Sequence, residues 1–147
     1  MRNTNYKIRR LNEQDLDEVL KIEKQCFNKE SKNDFLNCIS RSEVYSYFVC
    51  EVENQIVGYY GIMHISEDGE LLTIAVKKQE QGKGYGRAMM ESAILQSSLK
   101  SSTKLFLEVN EHNTPAISLY KKMGFDTISK RSNYYGNDAA IIMKKEL

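Results

Sequence analysis

A chain of 147 residues with 21 Lys plus Arg, 20 Asp plus Glu and a formal net charge of +1 has the size of one domain around one core, and it lacks the global field that draws nucleic acid or an anionic membrane. Its three cysteines, Cys26, Cys38 and Cys50, lack the paired spacing of a zinc site or a CxxC redox pair, so they read as reduced thiols. The first twenty residues hold no signal-peptide core and no window approaches the ~18 apolar residues of a membrane span; a soluble, cytoplasmic, single-domain protein over 1–147 is expected.

In chain order, residues 6–11 alternate like a short strand. Asn12 then caps a helix on which Leu16, Val19, Leu20 and Phe27 recur at helical spacing, and a second, shorter helix carries Phe35, Leu36 and Ile39. From residue 44 the composition shifts to β-branched and aromatic residues. Runs at 44–53, 56–65 and 70–76, separated by Asn54-Gln55 and Ser66-Glu67-Asp68-Gly69, read as an antiparallel meander. A helix spans 87 to about 99 with Met90, Ala93 and Ile94 toward the sheet. A strand at 104–110 follows, then a short helix that opens at Asn113-Thr114-Pro115 and closes at Gly124, and strand-like runs around 125–130 and 139–144. The order β, α, α, β, β, β, α, β, α, β, β predicts an α/β or α+β sheet with helices packed on its faces.

Between the apolar strand end Ile74-Ala75-Val76 and the third helix lies Gln81-Gly82-Lys83-Gly84-Tyr85-Gly86-Arg87. Unpaired N–H groups and the positive end of the macrodipole make a helix start an anion site. Glycines let the anion approach, and Lys83 and Arg87 add charge at the periphery. A P-loop requires Ser or Thr after the Gly-Lys pair, and here Gly84 follows. A dinucleotide fingerprint requires GxGxxG after a first strand, and here the spacing is GxGxG after a later one. ATP and NAD are therefore disfavoured; a glycine-rich turn that merely caps a helix remains an alternative.

The remaining spacing, Gln81, Gly84 and Gly86 after an Ile-Ala-Val strand end, resembles the acetyl-CoA pyrophosphate loop of the GCN5-related N-acetyltransferase (GNAT) family. Further pieces match the branch that acetylates protein N-termini, the RimI-like ribosomal-protein alanine N-acetyltransferases: ELLTIAV, LFLEVN, NTPAISLYKKMGF and SNYYGNDAAIIM, in this order along nearly the whole chain. The resemblance implies a mixed, mostly antiparallel sheet of about seven strands flanked by about four helices. It implies acetyl-CoA as cosubstrate, no metal, and a protein or peptide N-terminus as acceptor, a ribosomal protein among them. No nucleic-acid or membrane partner is expected, and the chain is taken as a monomer or weak dimer.

Acetyl transfer from a thioester to an amine needs an unprotonated amine, a polarised carbonyl and a proton for the departing thiolate. Glu108 interrupts an apolar strand, as a general base or as the solvent-facing residue of an alternating strand; the resemblance favours the base. Tyr120 reads from its pattern as a core contact of Ile117 and Met123, and the resemblance makes it the general acid. Asn113 caps its helix and, by the resemblance, also binds the cofactor arm. A backbone N–H at Ile74, Ala75 or Val76 is the donor to the thioester carbonyl, because the resemblance implies that the fourth and fifth strands splay there. The cofactor set is thus Ile74, Ala75, Val76, Gln81, Gly82, Lys83, Gly84, Tyr85, Gly86, Arg87 and Asn113.

An α-amine of pKa near 8 costs about 1 kcal/mol to deprotonate at pH 7, against about 4.6 kcal/mol for lysine, so a single glutamate base suits the α-amine. A small amine or a lysine is the alternative acceptor within the family, and a non-catalytic acyl-CoA-binding module the alternative outside catalysis. Tyr134 and Tyr135, placed in a loop before the last strand, wall the acceptor groove or serve as hairpin aromatics; the similar NYY segment of the RimI-like enzymes favours the groove. The branch carries a Pro-Trp pair after the first helix; this chain reads CFNKESKNDF and has no tryptophan. Phe27 is expected to supply the apolar wall there. His64 and His112 lack neighbouring ligands in the sequence and are read as surface or loop histidines.

Overall fold

The alternating runs fold into one sheet, and each long apolar helix face packs on it. The computed structural model describes residues 5–147, with the side chains of residues 133–135 left out of the description. The elements are β1 (Lys7–Arg10), α1 (Leu16–Phe27), α2 (Lys32–Ser40), β2 (Tyr45–Val52), β3 (Gln55–Ile65), β4 (Asp68–Val76), α3 (Tyr85–Leu99), β5 (Lys104–Asn110), α4 (Thr114–Lys122), β6 (Asp126–Tyr135) and β7 (Asp138–Glu146). The sheet order is β1-β2-β3-β4-β5-β7-β6. All neighbours are antiparallel except β4 and β5. Among the described residues no helix is long and apolar enough to cross a membrane.

Tyr59 and Tyr60 are adjacent on β3 and serve opposite layers, as the period of a strand demands. Tyr59 joins Val49, Leu16, Val19, Ile22 and Phe35 in the core under α1 and α2. Tyr60 joins Met89, Met90 and Ala93 of α3, Tyr120 and Phe125 of the α4 region, and Leu105 and Leu107 of β5 on the other face. Since Leu107 and Val109 belong to the α3 layer, Glu108 between them points to the α1 face.

Asn12 does cap, but one turn before α1. Its side chain accepts from the Gln14 N–H at 3.0 Å and the Asp15 carboxylate accepts from the Asn12 N–H at 2.9 Å, closing a capping box over a 3₁₀ turn, Glu13–Asp15. Arg9 then grips Asp15 with both terminal nitrogens at 2.8 and 2.9 Å and Glu51 with Nε at 2.7 Å, so the start of α1 is fixed to β1 and β2. Burial pushes the Asp15 carboxyl up, but Arg9 and the Asn12 N–H outweigh it and hold the group below its usual 3.8. A depressed carboxyl contributes stability above its unfolded pKa and loses it as pH falls through the folded value. Asp15→Asn should therefore cost roughly 1–3 kcal/mol at pH 7, and thermal melts should show this deficit shrinking below about pH 4.

The parallel pair is short. β4 and β5 are hydrogen-bonded only where Asp68, Gly69 and Glu70 face Lys104, Leu105 and Phe106; beyond that the strands part. β4 stays paired to β3 on its other edge as far as Val76, with a register shift that leaves Leu72 as an extra residue between Leu71 and Thr73. Such a bulge bends and twists its strand, and it lies just past the point where pairing to β5 ends. A backbone edge therefore lies open along the second half of β4.

Several boundaries differ from the sequence reading. α3 starts two residues earlier, at Tyr85, and β4 starts at Asp68 because the turn needs only Ser66 and Glu67. β6 runs five residues beyond the expected end, so Tyr134 and Tyr135 belong to a strand and the turn falls at Gly136-Asn137. Their side chains lie outside the described residues.

Candidate active site

The gap between β4 and β5 opens into two cavities. One, of about 450 Å³, is walled by Glu23 and Phe27 of α1, Phe35 of α2, 71–74 of β4 and 108–110 of β5. The other, of about 360 Å³, is walled by 74–76 of β4, the Glu80-Gln81-Gly82 turn, Tyr85, Gly86 and Met90 of α3, and Pro115, Ala116 and Leu119 of α4. Ile74, Asn113 and Tyr120 line both. Two molecules seated in these cavities would meet at those three residues.

The turn into α3 is closed from within: Gln81 Nε2 donates to the Val76 carbonyl at 3.0 Å, and Gly82 and Gly84 take φ of +79° and +92°, a region that glycine enters without penalty. Gly86 is different. It lies in the first turn of α3 with no positive φ, and a Cβ built on it would have only Val76 Cγ2 nearby, at 4.0 Å. Neither backbone strain nor packing accounts for a glycine there; its place on the cavity wall does. Tyr85, by contrast, is a core residue, with its ring edge-on to Tyr6 at 6.3 Å.

Glu108 is on the wall of the larger cavity, and Arg131 Nη1 lies 3.3 Å from its Oε1. Glu108 faces Ile142 of β7 and Arg131 faces Ala140 of the same strand, so the guanidinium crosses β7 beside a small side chain to reach the carboxylate. Arg131 does not line the cavity, which leaves the carboxylate held from outside and open inward. Tyr120 is buried, against Phe125, and burial pushes its hydroxyl above the ordinary tyrosine range. The Asn113 side chain accepts from the Ala116 N–H at 3.3 Å, capping α4 while lining both cavities.

Residues 10–125 match the profile of the acetyltransferase (GNAT) family. The chain belongs to that family. It is 32% identical over 143 residues, 95% of each chain, to a Bacillus subtilis protein provisionally assigned as a ribosomal protein bS18-alanine N-acetyltransferase. It is 28% identical to an N-alpha-acetyltransferase of Sulfurisphaera tokodaii over 93% of this chain and 91% of that one. The crystal structure of the ribosomal-protein-S18-alanine N-acetyltransferase of Escherichia coli superposes with a TM-score of 0.87 at 28% identity, covering 96% of this chain and 93% of that one. The fold is the expected GNAT fold, and the protein is an acetyl-CoA-dependent N-acetyltransferase.

The smaller cavity fits the cosubstrate's anionic end, since it collects the α3 N-terminus, the unobstructed Gly86 and the free edge of β4. Of the eleven residues expected to hold acetyl-CoA, Ile74, Ala75, Val76, Gln81, Gly82, Tyr85, Gly86 and Asn113 line it. Lys83, Gly84 and Arg87 do not. Lys83 is paired with Glu80 at 2.8 Å and Arg87 with Glu91 at 3.3 Å; both pairs are half-exposed, and such pairs cost little to rearrange.

Phe27, expected to wall the acceptor site, lines the larger cavity and is 44% exposed. Glu23 and Leu72 also line this cavity and Arg131 pairs with Glu108 from outside it; the sequence reading named none of the three. His112 is better supported than its sequence context indicated, with Glu111 and Asp138 beside it. Those carboxylates are committed to structure: Glu111 takes the Ala139 N–H at 2.7 Å and pairs with Lys130 at 3.1 Å, and Asp138 accepts from Asn110 at 3.1 Å.

Proposed function

We propose that this protein acetylates the α-amine of a protein or peptide N-terminus, with Glu108 as general base and Tyr120 as general acid, and that a ribosomal-protein terminus is its natural acceptor. The observation that carries the reading is the meeting of the two cavities at Tyr120 and Ile74, with Glu108 on the acceptor side. The names of the relatives, which act on bS18 alanine or on N-alpha-amines, support the choice of acceptor.

Bound acetyl-CoA supplies an acyl carbon activated as a thioester. The chain must bring a neutral amine to it, steady the carbonyl oxygen and protonate the sulfur. Glu108 takes the ammonium proton, directly or through a water, while Arg131 fixes the carboxylate from the β6 side. The open edge of β4 presents N–H groups to the carbonyl oxygen. Burial keeps the Tyr120 hydroxyl protonated through the neutral range, where it donates to the leaving thiolate.

Incubation with acetyl-CoA and a library of peptides with free or blocked N-termini, ribosomal-protein termini included, followed by mass spectrometry, tests the reading. Acetyl groups on free N-termini alone are expected; modification restricted to lysine or to a small amine would overturn it. Tyr120→Phe should lower kcat by about 10²-fold with little change in acetyl-CoA affinity. Because the hydroxyl is shifted upward, wild-type kcat should not fall through tyrosine ionisation below about pH 10. A variant with full kcat would remove Tyr120 from the acid role.

A further inference from the structure

Glu23 is a buried carboxylate that the chemistry above leaves unused. It stands in the second half of α1, 6% exposed, on the wall of the acceptor cavity. One of its oxygens accepts the Ser31 N–H at 2.8 Å, which folds the α1–α2 connection back onto the helix. Among the described residues no cation pairs with it. Lys29 lines the same cavity from an exposed position without bonding to Glu23, and Asp34 is exposed and solvated.

A carboxylate withdrawn from water without a cation is costly unless a partner arrives. The visitor to this cavity is an amine that at pH 7 is about nine-tenths ammonium, given an α-amine pKa near 8. Glu108 is poorly suited to capture it, since its charge is already shared with Arg131. We propose that Glu23 is the binding site for the acceptor's α-ammonium, which it holds at the cavity wall until Glu108 removes the proton. This rests on the α-amine reading above. The Ser31 N–H fixes the rotamer of the side chain, and the remaining oxygen serves the ammonium.

Glu23→Gln separates charge from structure, because the amide oxygen keeps the bond to Ser31. With a C-terminally amidated peptide whose only charge is its α-ammonium, the variant should raise the acceptor KM about 10- to 100-fold and leave kcat and the acetyl-CoA KM near wild type. An unchanged acceptor KM, or a rise seen only with peptides carrying Lys or Arg side chains, would overturn the inference while leaving the proposed activity standing. If wild type acetylated no α-amine at all, both would fall. Should Glu23→Gln not fold, Glu108→Gln decides: with the base neutralised and Glu23 intact, it should still bind the peptide at least about ten-fold more tightly than the analogue with hydroxyl in place of the ammonium. Equal affinities would refute the assignment.

Discussion

Glu108→Gln is expected to lower kcat by about 10²- to 10⁴-fold, the range of a lost general base, while acetyl-CoA still binds. The amide has the size of the carboxyl and cannot take the ammonium proton. Glu108 lines the acceptor cavity and is absent from the walls of the cosubstrate cavity, so the dissociation constant for acetyl-CoA should stay within about two-fold, inside the usual context dependence of such effects. Steady-state rates with an α-amine peptide, together with thermal shifts in acetyl-CoA, would show the separation. A variant with wild-type kcat would remove Glu108 from the base role and leave Glu23 as the buried carboxylate on that wall.

Gly86→Ala should move stability and function in opposite directions. A glycine in a helical conformation replaced by alanine stabilises by about 0.4–1 kcal/mol, and the added methyl meets nothing nearer than Val76 Cγ2 at 4.0 Å. The melting temperature of the free protein should therefore rise. The same methyl occupies the cavity wall where backbone N–H groups must come close to an anion, so acetyl-CoA affinity should fall at least about ten-fold, with Gly86→Val worse. Thermal melts with and without acetyl-CoA read both effects in one experiment. A stabilised variant with an undiminished ligand shift would show that Gly86 does not border the bound cosubstrate.

What the sequence disclosed follows the range of each signal. The meander, the Asn113 cap and the glycine turn are local patterns, and each element was found within a few residues. Glu108 stood out because a carboxylate in LFLEV breaks an apolar strand. Glu23 did not, since Glu23-Lys24-Gln25 looks like the wet side of an amphipathic helix; its burial and its bond to the Ser31 N–H, which comes from beyond the helix end, are tertiary facts. Arg131 was equally hidden, because it reaches Glu108 across an intervening strand and nothing local marks that approach. The half-exposed Lys83 and Arg87 found nearby glutamates by simple proximity along the chain, an outcome that motif logic does not weigh. The Leu72 bulge had no signature, since Leu-Leu in a strand fits either a regular or an irregular ladder.

The two cavities are served by opposite helical layers, α1 and α2 on one side of the sheet, α3 and α4 on the other, and they share only the narrow waist at Ile74, Asn113 and Tyr120. In the proposed reaction each substrate thus has its own doorway, and neither must depart before the other arrives. A catalyst built this way has no need to park the acyl group on itself. The Cys26 thiol is tied to the Val76 carbonyl at 3.3 Å, and burial pushes its ionisation upward, which suits the spectator's part that the proposed one-step transfer leaves to it.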